Sequence, residues 1–360
     1  MEVNIRKRLG EFTLDVHFKT EKSRLGILGA SGSGKSMTLK CIAGIATPDE
    51  GRIEVNGRIL YDSEKRINLK PRHRKVGYLF QDYALFPTFT TYDNIASGLK
   101  CGKKQKREIV EDLVKRFQLE GLEKHYPHQL SGGQQQRTAF ARIVACEPDM
   151  ILLDEPFSAL DSHLRDQMQQ ETRGILSNYD NSVMVTHNRD EAYKLCTDLL
   201  ILDSGKVVAS EKTEQLFNNP GSVKAAKLTG CKNISRVKRI GEYELQALDW
   251  GGLSVKTKIP VGEKISHIGV RAHTFVPLFT KDGSVSGDST VNAFRISVKD
   301  TIVAPFEMQI IFNNAEVSDN NSQGSISQSD ICWEYAKGAV PSVPEYLSIP
   351  PESLLLLTDD

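Results

Sequence analysis

The segment Gly29-Ala30-Ser31-Gly32-Ser33-Gly34-Lys35-Ser36 constrains this chain more than any other stretch. It fits GxxxxGK[ST] and follows the short apolar run Arg24-Leu25-Gly26-Ile27-Leu28. Lys35 to Ile42 then reads as a helix, with Gly44 as its C-terminal cap. The glycines let successive backbone N–H groups converge on phosphate oxygens, and the helix start adds about half a positive charge. Lys35 can reach the β- and γ-phosphates, and the Ser36 hydroxyl can ligate Mg²⁺. Alone, the loop specifies a nucleoside triphosphate and nothing finer.

The surrounding pattern agrees with an α/β fold. Phe12, Leu14, Val16 and Phe18 alternate as in a half-buried strand. Met150-Ile151-Leu152-Leu153 is apolar at every position, as in a parallel strand covered on both faces, and 182–186 and 198–202 read alike. Strands separated by helical stretches predict an α/β sheet domain over residues 1–230. Within it, 83–146 has helical segments near 106–119 and 134–146 and no strong strand, which predicts a helical insert. After residue 231 short alternating runs dominate, at 254–259 and 294–298. Asn313-Asn314 and Lys281-Asp282-Gly283 supply turns, and 318–330 is a polar stretch. The expectation for 231–360 is a small all-β barrel.

Composition excludes several classes. Lys plus Arg and Asp plus Glu are 46 each, which argues against a general nucleic-acid coat. Charged residues at 26% and apolar residues at 39% suit a folded globular chain. No apolar run is long enough to span a bilayer, and Arg6-Lys7-Arg8 is followed by Leu9-Gly10-Glu11 rather than by a secretion signal. The six cysteines are scattered, with no CxxC pair, and read as reduced and mostly buried thiols of a cytosolic protein.

Two further groups of residues join the loop. Asp154 ends the 150–153 strand, where ligands bind in such sheets, and suits Mg²⁺; Glu155 beside it can polarise an attacking water. His187 ends the strand 183–186 and should reach the same edge as a γ-phosphate contact. Leu130-Ser131-Gly132-Gly133-Gln134 opens a second helix, Gln134 to Ala145, whose start offers free N–H groups to an anion. The chain therefore carries two separate anion-binding helix starts.

Together these motifs resemble the ATP-binding subunit of ABC transporters across roughly residues 1–230. GASGSGKS at 29–36, Gln81 in FQDYALFP, LSGGQ at 130–134, ILLDEP at 151–156, SALD at 158–161 and His187 occur in the family's order. The resemblance implies a head-to-tail homodimer that sandwiches two ATP molecules, with Mg²⁺, between one subunit's loop and the other's LSGGQ. It places nucleotide contacts at Gly29, Ala30, Ser31, Gly32, Ser33, Gly34, Lys35, Ser36 and Met37. Across the interface it adds Ser131, Gly132, Gly133 and Gln134. It assigns metal contacts to Ser36, Gln81 and Asp154, catalysis to Glu155, His187, Gln81 and Lys35, and a link between the two sites to Asp161. Phe12 fits the aromatic that stacks on adenine, and it equally fits the core face of its strand.

The family's permease is a separate chain. Residues 82–100, with Tyr83, Leu85, Phe86, Phe89 and Tyr92, fit a groove for a permease helix or part of a local core. The implied location is the cytoplasmic face of the membrane, with a solute-binding protein as an indirect partner. For the cargo, residues 57–87 resemble molybdate importer ATPases, as do IGVRAHTF at 268–275 and PPESLLLL at 350–357. The C-terminal part resembles the oligonucleotide/oligosaccharide-binding (OB) type of barrel, with Arg271, Ser297 and Lys299 as candidate anion donors. The alternatives are an importer of sulfate, iron or another solute, or a soluble ABC ATPase acting on nucleic acid or ribosomes. Against the last stand the single loop and the balanced charge, so no nucleic-acid partner is expected.

Overall fold

The structure is a computed structural model that describes residues 1–158, 160–179, 181–279, 291–315 and 329–359. Ala159 of the SALD motif, the expected turn at 281–283 and residues 318–328 of the polar stretch lie outside these. The chain divides into two compact units between Glu214 and Gln215. The change of sequence texture had placed that boundary at 230/231. The helix Val223–Leu228 accounts for the difference, because Ala226 and Cys231 pack with Leu355 and Leu357 near the end of the chain.

The first unit is built on an eleven-stranded sheet. Its centre is a parallel block of neighbours in the order Asp198–Asp203, Arg24–Leu28, Ser182–Thr186, Met150–Asp154 and Val76–Leu79. Antiparallel strands, among them Glu2–Leu9 and Phe12–Lys19, extend it on one side.

Side chains alternate across a strand, so each continuously apolar strand feeds two cores. Met150, Leu152, Val183 and Val185 join one with Leu39 and Ile42 of the helix Lys35–Ala43. Ile151, Leu153 and Met184 join the other with Ile95, Val110, Leu113 and Phe140 of the helical insert. That insert contains the helices Thr91–Ala96, Lys103–Arg116 and Gly132–Val144, with no strand between Leu79 and Met150 among the described residues. The sheet therefore separates the loop helix from the helix that LSGGQ opens.

The second unit is rich in strand, as expected, and among the described residues its strands form two five-stranded sheets. Leu245, Trp250 and Ile268 from one region and Phe294, Phe312 and Trp333 from the other share a single core. Asn313-Asn314 is not a turn: both residues close the strand Glu307–Asn314, opposite Ser297 and Ile296. Asparagine favours turns only where its side chain can bond the local backbone, and here the ladder takes those groups. The expected strand at 254–259 is shorter, Leu253–Lys256. Cys41, Cys196, Cys231 and Cys332 are buried, Cys101 is half-buried and Cys146 is exposed.

Candidate functional site

Parallel register decides which residues meet. Leu28 pairs with Thr186, Asp154 with Val185, and Leu79 with Leu153. The loop at 29–34, His187, Asp154-Glu155 and Gln81 therefore all leave the sheet at the C-terminal ends of adjacent strands. Residues far apart in sequence share one edge because the strands that carry them end together.

In the loop, Gly32 and Gly34 have φ of +78° and +104°, a region that L side chains rarely adopt. A Cβ on Gly29 would lie 2.2 Å from the Leu202 carbonyl, so the loop crosses that strand at backbone contact. The buried Lys35 ammonium donates to the Gly29 and Ala30 carbonyls, both at 2.8 Å. Burial pulls its pKa below the ordinary lysine value, opposed by Glu155 and Asp154. Phe12 is half-buried against the same core, and its ring tip comes to 3.3 Å from where a Gly34 Cβ would sit. Met37 also packs against that core.

Ser36 Oγ donates to Asp154 Oδ1 at 2.7 Å, and Tyr78 Oη donates to Asp154 Oδ2 at 2.8 Å. Burial first, then the Asp154 hydrogen bond and charge, keeps the Tyr78 phenol protonated far above its usual range. Among the described residues no group of three or more His, Cys, Asp or Glu side chains could hold a metal unaided. One carboxylate beside one hydroxyl does suit Mg²⁺, a hard cation that takes few protein oxygens and fills its octahedron with water and phosphate.

Glu155 has φ of +46°, left-handed for a non-glycine residue. Such a conformation costs about 1–3 kcal/mol and persists where the surroundings over-determine it. Here the Glu155 amide donates to the Val185 carbonyl at 3.0 Å, and its own carbonyl accepts from the Ser158 amide and hydroxyl. Its carboxylate Oε2 lies 3.2 Å from Nδ1 of His187, whose side chain is 64% exposed. Facing that carboxylate, Nδ1 acts as a donor, which leaves Nε2 pointing away from Glu155. Gln81 is exposed in the turn just beyond Val76–Leu79.

LSGGQ is placed elsewhere. Ser131 is the N-cap of Gly132–Val144 and forms a reciprocal capping box with Gln134. The N–H of Gly133, in the first turn, has no partner within the helix by geometry. Gly132 and Gly133 lie against Leu160 and Met168, members of the core opposite the loop helix. Asp161 precedes the helix Ser162–Leu176 as its N-cap residue, with no side-chain cap bond. The two anion-facing helix starts thus rest on different faces of one sheet.

Several residues at this edge escaped sequence reasoning. Besides Tyr78, the buried Glu191 accepts from Thr186 Oγ1 at 2.6 Å, and Thr186 Oγ1 accepts the Asn188 amide, which fixes the backbone around His187. Asn188 caps the helix Arg189–Leu195, and an Asn just before a helical run is a signal that sequence could have used. Arg142, near the far end of the LSGGQ helix, donates to the Tyr83 and Ala84 carbonyls at 2.9 and 2.7 Å. Those two residues have φ of +60° and +42°. The aromatic cluster after Gln81 divides: Tyr83 is buried, Leu85 and Tyr92 flank the core, and Phe86 and Phe89 are exposed with ring centroids 5.1 Å apart.

In the second unit two of the three candidate anion donors are engaged by protein groups. Arg271 donates to the Thr229 carbonyl at 2.9 Å and to the Phe217 carbonyl. Lys299 pairs with Asp330 at 2.6 Å, and Ser297 stands exposed on the strand Ala293–Val303. Among the described residues no helix is long and apolar enough to cross a membrane.

Comparison with known proteins agrees with this architecture. The ABC transporter family pattern matches residues 14–158. A probable sulfate/thiosulfate import ATP-binding protein of Chlorella vulgaris is 39% identical over 236 residues, covering 64% of this chain and 98% of that protein. An Fe(3+) ions import ATP-binding protein of Haemophilus influenzae is 37% identical over 68% of this chain and 70% of its own length. A molybdenum import ATP-binding protein of Paramagnetospirillum magneticum is 34% identical over 74% and 75%. An ATP-binding cassette solved as a dimer with ADP and Pi matches with a TM-score of 0.50 and 29% identity, over 59% of this chain and 97% of that one. A loop, a carboxylate pair and a histidine at one parallel-sheet edge, with LSGGQ on a separate helical insert, and relatives of this coverage lead to one assignment: the chain belongs to the ABC transporter family, among its import ATP-binding proteins.

Proposed function

We infer that this chain is the ATP-hydrolysing subunit of an oxyanion importer, acting as a head-to-tail pair on a separate permease. The observation that carries the reading is the shared sheet edge, where Lys35, the Ser36–Asp154 pair and the Glu155–His187 pair stand together. The phosphates would lie over the 29–36 loop, and Lys35 would exchange its two carbonyl partners for their oxygens. Glu155 would orient and polarise the water that attacks the γ-phosphorus in line, and His187, in its imidazolium form, would donate Nε2–H to a γ-oxygen while Nδ1–H stays on Glu155. Mg²⁺, when bound beside Ser36, Asp154 and Gln81, supplies neutralisation of phosphate charge. Phe12 would stack on adenine, a contact of about 1–3 kcal/mol by analogy with base stacking in single strands.

Ser131 and Gly133 of a second copy would close the pocket from the other side. Their placement on the opposite core from the loop helix supports an arrangement that needs two subunits. Exposed Phe86 and Phe89, in the insert directly after Gln81, would meet the permease and so connect cargo to nucleotide.

For the cargo, the matched motifs favour molybdate, and the relatives named for sulfate/thiosulfate and Fe(3+) broaden it. Sulfate and molybdate are both tetrahedral dianions, so oxyanion is the class proposed. The test is uptake of radiolabelled sulfate, molybdate and ferric iron by cells in which this chain replaces the native subunit. Iron uptake alone would overturn the oxyanion class and leave the ATPase reading standing. For the chemistry, Glu155→Gln should keep ATP binding and slow turnover by about 10²–10⁴-fold. Turnover at the wild-type rate would remove Glu155 from its role.

A further inference from the structure

Tyr78 lies in the strand Val76–Leu79, opposite Leu152 on the neighbouring strand. Asp154 is two residues beyond Leu152 at the sheet edge. The half-buried Tyr78 side chain spans that distance, donating from Oη to Asp154 Oδ2 at 2.8 Å. The other carboxylate oxygen, Oδ1, accepts from Ser36 at 2.7 Å. A carboxylate at a strand end turns about its last bond unless both oxygens are held. Here both are held, one by the loop helix and one by the adjacent strand. The Tyr78 ring is itself fixed against Phe80, with centroids 4.4 Å apart.

We propose that Tyr78 is a positioning residue for the divalent cation, acting through Asp154: its hydroxyl fixes the carboxylate so that Oδ1 faces Ser36 and the metal. This rests on the reading of the edge as a site for ATP with Mg²⁺. Hydrogen-bond partners of metal-facing carboxylates set ligand orientation, and removing one weakens metal affinity by about 10–100-fold. Tyr78→Phe keeps the ring and its packing and deletes only the hydroxyl.

The experiment titrates Mn²⁺ into the full chain with a non-hydrolysable ATP analogue, read by electron paramagnetic resonance. Wild type, Tyr78→Phe, Asp154→Asn and the double variant are compared. Nucleotide affinity in excess EDTA and the thermal midpoint are measured alongside. Tyr78→Phe should weaken Mn²⁺ binding by about 10-fold or more, with metal-free nucleotide affinity unchanged and the midpoint still well above the assay temperature. The double variant should bind Mn²⁺ no worse than Asp154→Asn alone, because Tyr78 acts only through that carboxylate. Unchanged Mn²⁺ affinity in Tyr78→Phe, losses that add in the double variant, or a parallel loss of metal-free nucleotide binding would each overturn the proposal. If Asp154→Asn itself binds Mn²⁺ normally, the metal reading of the edge falls, and the proposal with it.

Discussion

Arg74 and Arg271 do the same job in the two units of this chain. Each guanidinium caps carbonyls at the end of a helix. Arg74, 2% exposed, donates to the Cys41 and Ile42 carbonyls where the loop helix ends, and also to Leu69 O and Asn68 Oδ1. Arg271, half-buried, donates to Thr229 O just beyond the helix Val223–Leu228. What differs is the other end of the helix. The helix Lys35–Ala43 begins at a glycine loop on a parallel-sheet edge, where three other strands also deliver side chains. Val223–Leu228 begins at Ser222, whose hydroxyl accepts from Ala225, with no such edge before it. A cation that reads from sequence as an anion donor becomes part of a site only where topology gathers partners around it.

The comparison is sharpened first by Arg74. Its removal takes a donor from three carbonyls in a dry setting; Cys41 O keeps the Gly44 amide at 3.2 Å, and the other two are left at about 1–3 kcal/mol each. Arg74→Met should therefore lower stability by about 3–5 kcal/mol in urea unfolding followed by circular dichroism. Gly44 adds a constraint: at φ of +79°, its Cβ would come to 2.5 Å from Arg74 Nε, so no other residue can fill behind the guanidinium. A loss under about 1 kcal/mol would mean that water reaches those carbonyls and that the loop helix is not braced from its far end.

Arg271→Met should cost less, about 1–3 kcal/mol, since fewer carbonyls depend on it and the site is more open. Its sharper use is calorimetric. Titration of the full chain with molybdate or sulfate should give the same heats for wild type and Arg271→Met, because Arg271 is committed to Thr229 and Phe217. A saturable heat in wild type that disappears in Arg271→Met would break the comparison, by showing that the second unit gathers an anion site after all.

How much of this was legible in sequence follows the same division. The loop, LSGGQ, Asp154-Glu155 and His187 are readable because each depends on spacing within a few residues, and spacing there is turn geometry. The α/β order and the insert followed from apolar runs, whose two-sided burial the structure bears out at Met150–Asp154. Tyr78, Arg74 and Arg142 were not readable, because their partners lie 76, 33 and 59 residues away and are chosen by sheet order. Glu191 was missed for another reason. Its partner Thr186 is only five residues off, but a buried glutamate and an exposed one look the same in a sequence. In the second unit Asn313-Asn314 carried the composition of a turn and became strand, since a two-residue signal yields to a ladder running its whole length.

The smallest effect separates two roles that Ser131 holds at once. Its hydroxyl accepts from the Gln134 amide as an N-cap, and under the dimer reading the same helix start faces the partner's γ-phosphate. Ser131→Ala removes both and should cost about 1 kcal/mol of stability. Ser131→Asp caps as well as serine, so stability should stay within about 0.5 kcal/mol of wild type. The aspartate, however, sets a negative charge where the phosphate would arrive. In a Glu155→Gln background, light scattering should then show ATP-dependent dimers with Ser131 in place and monomers with Ser131→Asp. If Ser131→Asp still pairs on ATP, the LSGGQ end does not meet phosphate. The contrast between an edge that gathers its residues and a helix start that waits for a second subunit would then have to be redrawn.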